Sequence, residues 1–90
     1  MSNKNSITVN IVGHATVGKS TITKIIYDAL KQHGIEVELS DETLLDFQNE
    51  YNFNEIMNEF KEKRIKAVKN KSKITLNEVQ LGPDSLHNKM

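Results

Sequence analysis

Residues 6–34 read SITVNIVGHATVGKSTITKIIYDALKQHG, and this stretch decides the expected fold because its periodicity changes half-way along. Apolar and polar residues alternate over 6–12, which predicts a β-strand. From Lys19 onward the apolar residues recur at helical spacing, which predicts a helix over 19–33 with Gly34 as its C′ residue. The predicted apolar stripe of this helix comprises Ile22, Ile25, Ile26, Ala29 and Leu30.

The middle of the chain is expected to add one strand and two helices. The sequence IEVEL alternates strictly between apolar and acidic residues, which suits a strand with one wet face. Ser40 and Asp41 can cap the helix that follows. Asn52 and Glu55 form a capping-box pattern that starts another helix, and one bent helix is the alternative. The predicted elements are a strand over 35–39 and helices over 42–51 and 53–70.

The segment KITLNEVQL over 73–81 fits two structures. Its apolar residues change parity near Asn77, so a strand would need a β-bulge at that point. The alternative is a short helix that begins with Thr75 as N-cap. We predict a strand, because a sheet made of the two earlier strands alone would be marginally stable.

Together these elements predict an α/β fold. The expected architecture is a minimal three-stranded, mostly parallel sheet in the order β-α-β-α-α-β, with helices packed on it. The strand over 6–12 lies in the centre, and right-handed crossovers place the loop after it at its carboxyl end. One domain is expected over 1–81, followed by a flexible C-terminal tail over 82–90.

Composition limits the functional classes. The chain has 90 residues, no cysteine and a formal net charge of zero, so we expect one domain without disulfides or thiolate metal sites. No run approaches the ~20 apolar residues of a membrane span, and no signal peptide is evident, so we predict no membrane partner and a cytoplasmic location.

The charges are distributed in two blocks. Eight acidic residues and no basic ones occur over 36–59, whereas seven basic residues and one acidic residue occur over 61–73. Such blocks form solvated faces or allow two copies to meet head to tail, and we expect a homo-oligomer. Nucleic acid is not an expected partner, because no aromatic residues alternate with the basic ones for base stacking.

The loop between the first strand and the first helix, GHATVGKS at 13–20, matches the pattern G-x-x-x-x-G-K-[ST] completely. Two glycines allow backbone N–H groups to turn toward a phosphate, and Lys19 adds a full positive charge. Ser20 can ligate Mg²⁺, and Thr21 can donate to an α-phosphate. The candidate phosphate-binding residues are Gly13, His14, Ala15, Thr16, Val17, Gly18, Lys19, Ser20 and Thr21.

The sequence ITVNIVGHATVGKSTITKIIYDAL resembles the first strand, phosphate loop and first helix of P-loop NTPases. Within it, NIVGHATVGKST is similar to the opening of translational GTPases. The overall outline resembles short, functionally unassigned P-loop proteins encoded by phages, and the motif-level resemblance covers residues 7–41. It implies a bound nucleotide, ATP or another phosphate-bearing one, with Mg²⁺ as a possible companion. A phage-encoded chain would act in the host cytoplasm.

The other motifs of GTPases are absent. No Asp precedes any of the four glycines by three residues, so D-x-x-G does not occur, and the stretch nearest to N-K-x-D is NKSK, which ends at Lys73. An ATP-dependent enzyme needs a carboxylate for the metal and a cation for the transferred phosphate. Asp41, which follows the second predicted strand as in small-molecule kinases, and Arg64, the only arginine, are the candidates beside Lys19. Capping of a helix is the alternative role of Asp41.

Three functions fit these features. The first is a small protein that binds a nucleotide or nucleotide-derived phosphate ligand without efficient turnover, for capture, sequestration or regulation, including phage counter-defence. The second is a minimal nucleotide-dependent kinase or NTPase, completed by homo-oligomerisation, with Lys19 and Asp41 as catalytic candidates and Ser20 and Asp41 as metal ligands. The third is a protein-interaction module with a relic phosphate loop. Tyr27, Tyr51 and Phe53 are candidates for stacking on a base, with packing in the core as the alternative.

Overall fold

A computed structural model describes residues 5–81, and within this range the chain forms four α-helices joined by loops. They are α1 (Lys19–Gln32), α2 (Asp41–Leu44), α3 (Glu50–Asn58) and α4 (Lys61–Lys71). No β-strand occurs among residues 5–81, so the prediction of a three-stranded α/β fold is wrong. The segments 6–12, 35–39 and 73–81 have no regular secondary structure. The predicted tail over 82–90 lies outside the described residues, as do residues 1–4.

Helix α1 confirms the prediction for residues 19–33, with one residue less at its end. Gly34 has a φ of 77°, and its N–H donates to the Lys31 carbonyl at 2.9 Å. The N–H of Ile35 donates to the Leu30 carbonyl at 3.0 Å, which completes a Schellman motif. Gly34 is therefore the C′ residue, as the sequence indicates.

Residues 41–71 form three helices where two, or one bent helix, were predicted. Ser40 caps α2 as expected, because its Oγ accepts from the Thr43 N–H at 3.2 Å. The N-cap of α3 is Asn49, whose side chain accepts from the Asn52 N–H at 2.8 Å, so the prediction of Asn52 as N-cap is wrong. The predicted helix over 53–70 is interrupted at two residues. Glu59 is extended with a ψ of 129° and ends α3, and Phe60 has a φ of 58° and precedes the first turn of α4.

The core lies where α1 packs against α3 and α4. Its buried apolar side chains are Tyr27, Phe53, Met57 and Val68. The ring of Phe53 makes edge-to-face contacts with Phe47 at 5.0 Å and with Tyr27 at 6.2 Å between centroids. Such aromatic pairs add roughly 0.5–1.5 kcal/mol each beyond the burial of area. A small aromatic cluster thus takes the place of the predicted helix–sheet core.

Helix α1 buries a different face from the one that its sequence predicts. Its buried residues are Thr21, Lys24 and Tyr27, whereas Ile25 of the predicted stripe is 37 % exposed. The stripe would have faced a sheet, and without a sheet α3 and α4 pack on the neighbouring face. Lys24 tolerates this burial because its ammonium donates to Asp28 at 2.8 Å and to Asn54 at 2.7 Å.

A large apolar surface is exposed as a consequence of this arrangement. Ile7 and Val12 are 90 % and 89 % exposed, and Leu76 is 84 % exposed. These side chains belong to the segments that were predicted to pair as strands. In the described part of the chain no helix is both long enough and apolar enough to cross a bilayer.

Candidate phosphate-binding site

The loop before α1 turns through two residues with positive φ. Thr16 has a φ of 68° and Gly18 has a φ of 100°. Backbone that alternates between left-handed and right-handed conformations turns successive N–H groups toward one point, which makes a concavity for an anion. Gly18 is also the N-cap residue of α1, so the loop ends directly at the N-terminus of the helix.

Lys19 bends back across this loop. Its Nζ donates to the Gly13 carbonyl at 2.7 Å and to the His14 carbonyl at 3.4 Å. A Cβ on Gly13 would lie 3.1 Å from Cγ2 of Val17 and 3.7 Å from Cγ of Lys19, so the two ends of the loop lie close together. The ammonium therefore stays at the loop and is bound there by neutral oxygens.

The electrostatic environment of the loop favours an anion. The N-terminus of α1 carries a partial positive charge from its unpaired N–H groups, and a lysine ammonium adds a whole charge beside it. The first turn of α1 contains no acidic residue that would neutralise either charge. Ser20 is exposed in that turn, whereas the side chain of Thr21 is buried.

Helix α4 fixes the position of the loop. A Cβ on Gly18 would lie only 2.5 Å from Cγ2 of Val68, so the glycine is in direct contact with the helix. At the end of α4, Ser72 Oγ donates to the Val17 carbonyl at 2.7 Å, and Lys71 Nζ donates to the Thr16 carbonyl at 3.3 Å. Sequence reasoning missed Val68, Lys71 and Ser72, although the spacing of Arg64, Val68 and Lys71 places them on one helical face.

A shallow depression of about 150 Å³ lies between the loop and α4. Gly18 and Thr21 line it from one side, and Arg64, Val68 and Lys71 line it from the other. Of the three predicted catalytic candidates, the structure thus places Arg64 beside the loop that contains Lys19. Arg64 Nε donates to the Glu59 carbonyl at 3.1 Å, which holds the side chain along α4.

The predicted metal ligands lie in the first turns of two helices. Ser20 is the second residue of α1, and Asp41 is the first residue of α2, where both side chains are exposed. Residues 5–81 contain no cluster of three or more His, Asp or Glu side chains that could hold a metal by themselves. Mg²⁺ commonly binds through one or two protein oxygens together with phosphate and water. The metal site therefore stays a prediction.

The predicted base-stacking residues differ in their accessibility. Phe53 is 0 % exposed and Tyr27 is 6 % exposed, so both belong to the core, which was the alternative interpretation. The hydroxyl of Tyr27 donates to the carboxylate of Glu50, which fixes its ring further. Tyr51 is 70 % exposed, so for this residue the core interpretation is wrong.

No protein-family model matches this sequence, and no curated protein or solved structure is significantly similar to it.

Proposed function

We propose that this chain binds the phosphate groups of a nucleotide or nucleotide-derived ligand at residues 13–20 and holds the ligand without efficient turnover. The observation that supports this most strongly is the position of the Lys19 ammonium, which is bound by the Gly13 and His14 carbonyls at the start of α1. Holding a ligand in this way suits sequestration or regulation, including capture of a host signalling nucleotide if the chain is phage-encoded.

The expected affinity follows from the number of donors. An ammonium has three N–H donors, so one remains for a phosphate oxygen while two carbonyls accept the others. A hydrogen bond to a charged group contributes roughly 1.5–3 kcal/mol, and the helix N-terminus contributes roughly 0.3–1 kcal/mol. Together these contributions amount to roughly 2–4 kcal/mol, so a single phosphate group should bind with a Kd of about 1 mM at the tightest, for which about 4 kcal/mol is needed. A ligand with several phosphates should bind more tightly, because each additional phosphate contact adds to its affinity.

Binding requires less of the chain than turnover does. The loop and its lysine are formed within one chain, whereas turnover also needs a metal and a carboxylate to hold it. One hydroxyl and one carboxylate, from Ser20 and Asp41, suit Mg²⁺, which would neutralise phosphate charge at the loop. An ATP-dependent phosphotransferase or NTPase is the alternative that Arg64 favours, since this residue lines the depression next to the loop.

Calorimetry on the whole chain with ATP, GTP and pyrophosphate, with and without Mg²⁺, tests the proposal. Lys19→Met should weaken binding about 10-fold or more, because it removes the ammonium and keeps the length of the side chain. Lys66→Met, which removes the same charge from an exposed site on α4, is the matched control and should change binding less than about 2-fold.

The possible outcomes separate the three functions. Absence of heat with every ligand, or equal effects of Lys19→Met and Lys66→Met, contradicts the proposal. Phosphate release or transfer that disappears in the combined Lys19→Ala and Asp41→Ala variant would instead support an enzyme. If Lys19→Met changes neither binding nor the melting temperature in the presence of nucleotide, the loop is a relic in an interaction module.

We further propose that a second copy of the chain covers the exposed apolar surface. The chain exposes 8103 Å². Even if the thirteen residues outside 5–81 contributed the roughly 2,100 Å² of an unfolded segment, about 6,000 Å² would remain. A folded chain with the mass of residues 5–81 should expose only about 4,800 Å². The difference between these two exposed areas is larger than the ~800 Å² that each partner buries in a standard interface.

The charge blocks support a second copy as the occupant. The acidic residues over 36–59 and the basic residues over 61–73 are of similar number, so two copies can place opposite charges together. Light scattering should show a mass above 10.2 kDa that falls toward this value on dilution. Ile7→Lys and Leu76→Lys should favour the monomer, whereas Gln32→Lys, at an exposed site of α1 outside both charge blocks, should not. A monomer at all concentrations contradicts the proposal.

A further inference from the structure

The break between α3 and α4 presents an aromatic ring to solvent in an unusual backbone conformation. Phe60 is the N-cap of α4 with φ 58° and ψ 32°, and its side chain is 64 % exposed. A left-handed conformation costs a non-glycine residue roughly 1–2 kcal/mol. Because the ring is mostly exposed, its burial contributes little stabilisation that would offset this cost. Such strained positions are concentrated at functional sites, which makes Phe60 a candidate functional residue.

Phe60 borders a second depression on the surface of α4. This depression has a volume of about 310 Å³ and is lined by Phe60, Lys63, Arg64 and Ala67. The depression is wide open to solvent, so it offers a surface for stacking and does not enclose a ligand. The ammonium of Lys63 lies 6.0 Å from the centre of the Phe60 ring. A flat aromatic group can therefore stack on the exposed ring of Phe60, beside the cationic side chains of Lys63 and Arg64.

The two depressions are neighbours along α4. Arg64 and Ala67 line both of them, so the surface runs from the loop past these residues to Phe60. Val68, which contacts Gly18, is eight residues from Phe60, a distance of about 12 Å along the helix axis. An extended nucleotide has a comparable length between its phosphates and its base. The cationic end of this track adjoins the phosphate loop, and its aromatic end is the exposed ring.

We propose that the base of a nucleotide stacks on Phe60 while its phosphates occupy the loop at 13–20, with Arg64 between them. This inference rests on the proposed function, because the loop must hold the phosphates. It adds the ligand class, a nucleotide whose base contributes to affinity, and it names the residue that contacts the base. Stacking on a ring does not read the edges of a base, so the contact favours aromatic bases in general over one particular base.

Two probes separate this inference from the proposed function. ATP offers both phosphates and a base, whereas inorganic tripolyphosphate offers phosphates alone. Phe60→Ala should weaken ATP binding about 5- to 100-fold, the range for loss of one base–aromatic stack, and change tripolyphosphate binding less than about 2-fold. Arg64→Gln should weaken both ligands about 10-fold, and Lys19→Met should weaken both at least as much.

The control variants address folding and position. Phe60→Gly removes the ring and also relieves the left-handed strain, so the melting temperature should not fall while ATP affinity does. Phe60→Tyr keeps an aromatic face and should retain ATP affinity within about 2-fold. Tyr51→Ala removes an equally exposed ring from α3 and should have no effect on either ligand.

The results distinguish the base contact at Phe60 from the phosphate site at the loop. If Phe60→Ala and Phe60→Gly leave ATP affinity unchanged while Lys19→Met abolishes binding of both probes, the base contact is wrong and the phosphate loop stands. If Lys19→Met affects neither probe, the proposed function fails. If Phe60→Ala weakens ATP and tripolyphosphate equally, the residue supports the fold of α4 and contacts no base.

Discussion

The contact between Gly18 and Val68 gives the sharpest test of how the loop is held. Gly18→Ala adds a Cβ at a residue with a φ of 100°, at a cost of roughly 1–2 kcal/mol for the left-handed conformation. That Cβ would also lie 2.5 Å from Cγ2 of Val68, and overpacking of this kind costs roughly 1–3 kcal/mol. The expected loss of stability is therefore about 2–5 kcal/mol.

A double-mutant cycle separates the two contributions. Val68→Ala alone removes two buried methyl groups and should cost about 2 kcal/mol. It also removes Cγ2, and the nearest remaining atom, Cβ of residue 68, would lie at an ordinary 3.7 Å. In the double variant only the backbone strain and the lost methyl groups remain. The combined cost should be smaller than the sum of the single costs by about 1–3 kcal/mol.

Gly34→Ala provides the matched control. Gly34 also has a positive φ, of 77°, but a Cβ there would have no atom within 4 Å. Its cost should be the strain alone, about 1–2 kcal/mol, and it should add to that of Val68→Ala without coupling. Urea unfolding followed by circular dichroism at 222 nm, with an osmolyte present to keep all variants folded, measures each value. Strict additivity of Gly18→Ala and Val68→Ala would refute the docking of the loop on α4.

Three other changes test the helix ends, the buried polar contact and the loop anchor. Asn49→Ala should cost about 1 kcal/mol in unfolding free energy because it removes the cap of α3, whereas Asn52→Ala should cost less. Urea titration compares the two variants, and the reverse order would contradict the assignment of Asn49 as the cap. Asp28→Ala should cost about 2 kcal/mol of stability because it leaves the buried ammonium of Lys24 with one hydrogen-bond partner. Lys24→Met should change stability by less than about 1 kcal/mol in either direction, and equal losses of the two variants in thermal melting would argue against this account. Ser72→Ala should lower the stability by about 1 kcal/mol and weaken pyrophosphate binding a few-fold, because the loop loses its hydrogen bond to α4. Ser72→Thr should preserve stability and binding, and thermal melting and calorimetry measure the two effects.

Local signals in the sequence predicted the elements that depend on local contacts. Helix α1 depends on its own periodicity and on Gly34 with its positive φ. The two hydrogen bonds that close the helix, donated by the N–H groups of Gly34 and Ile35, span only a few residues. Ser40 caps its helix for the same reason. The sheet depended instead on pairing between distant segments, and alternation alone does not establish pairing. Alternation over 6–12 and 35–39 therefore predicted strands that residues 5–81 do not form.

The start of α3 shows how two similar local signals compete. Asn49 and Asn52 are both acceptable N-cap residues, and the capping-box pattern with Glu55 favoured the second. Gln48 adopts a φ of 74°, which turns the chain immediately before Asn49 and starts the helix three residues earlier. The left-handed conformation of Phe60 could not be predicted either, because phenylalanine has no preference for it.

The residues of the candidate site were predictable only in part. The octapeptide identified the loop directly, since its glycines and lysine have fixed spacing. Arg64 was proposed because it is the only arginine, and the structure places it beside the loop. The partners of the loop on α4 were not predicted, because they depend on how two distant helices pack. Apart from its aromatic character, nothing in the sequence indicated that Phe60 belongs to the candidate site.

Helical packing in place of a sheet changes what a ligand does to this protein. The Gly13 end of the loop continues into residues 5–12, which have no regular structure, so its position depends on Lys19 and on the opposite end of the loop. That opposite end is fixed to α4 through Val68 and Ser72. The proposed ligand would contact the loop and α4 together, which would add to the contacts through Val68 and Ser72. Its binding energy would therefore stabilise the packing of α4 on α1, so that the proposed site and the fold would depend on each other.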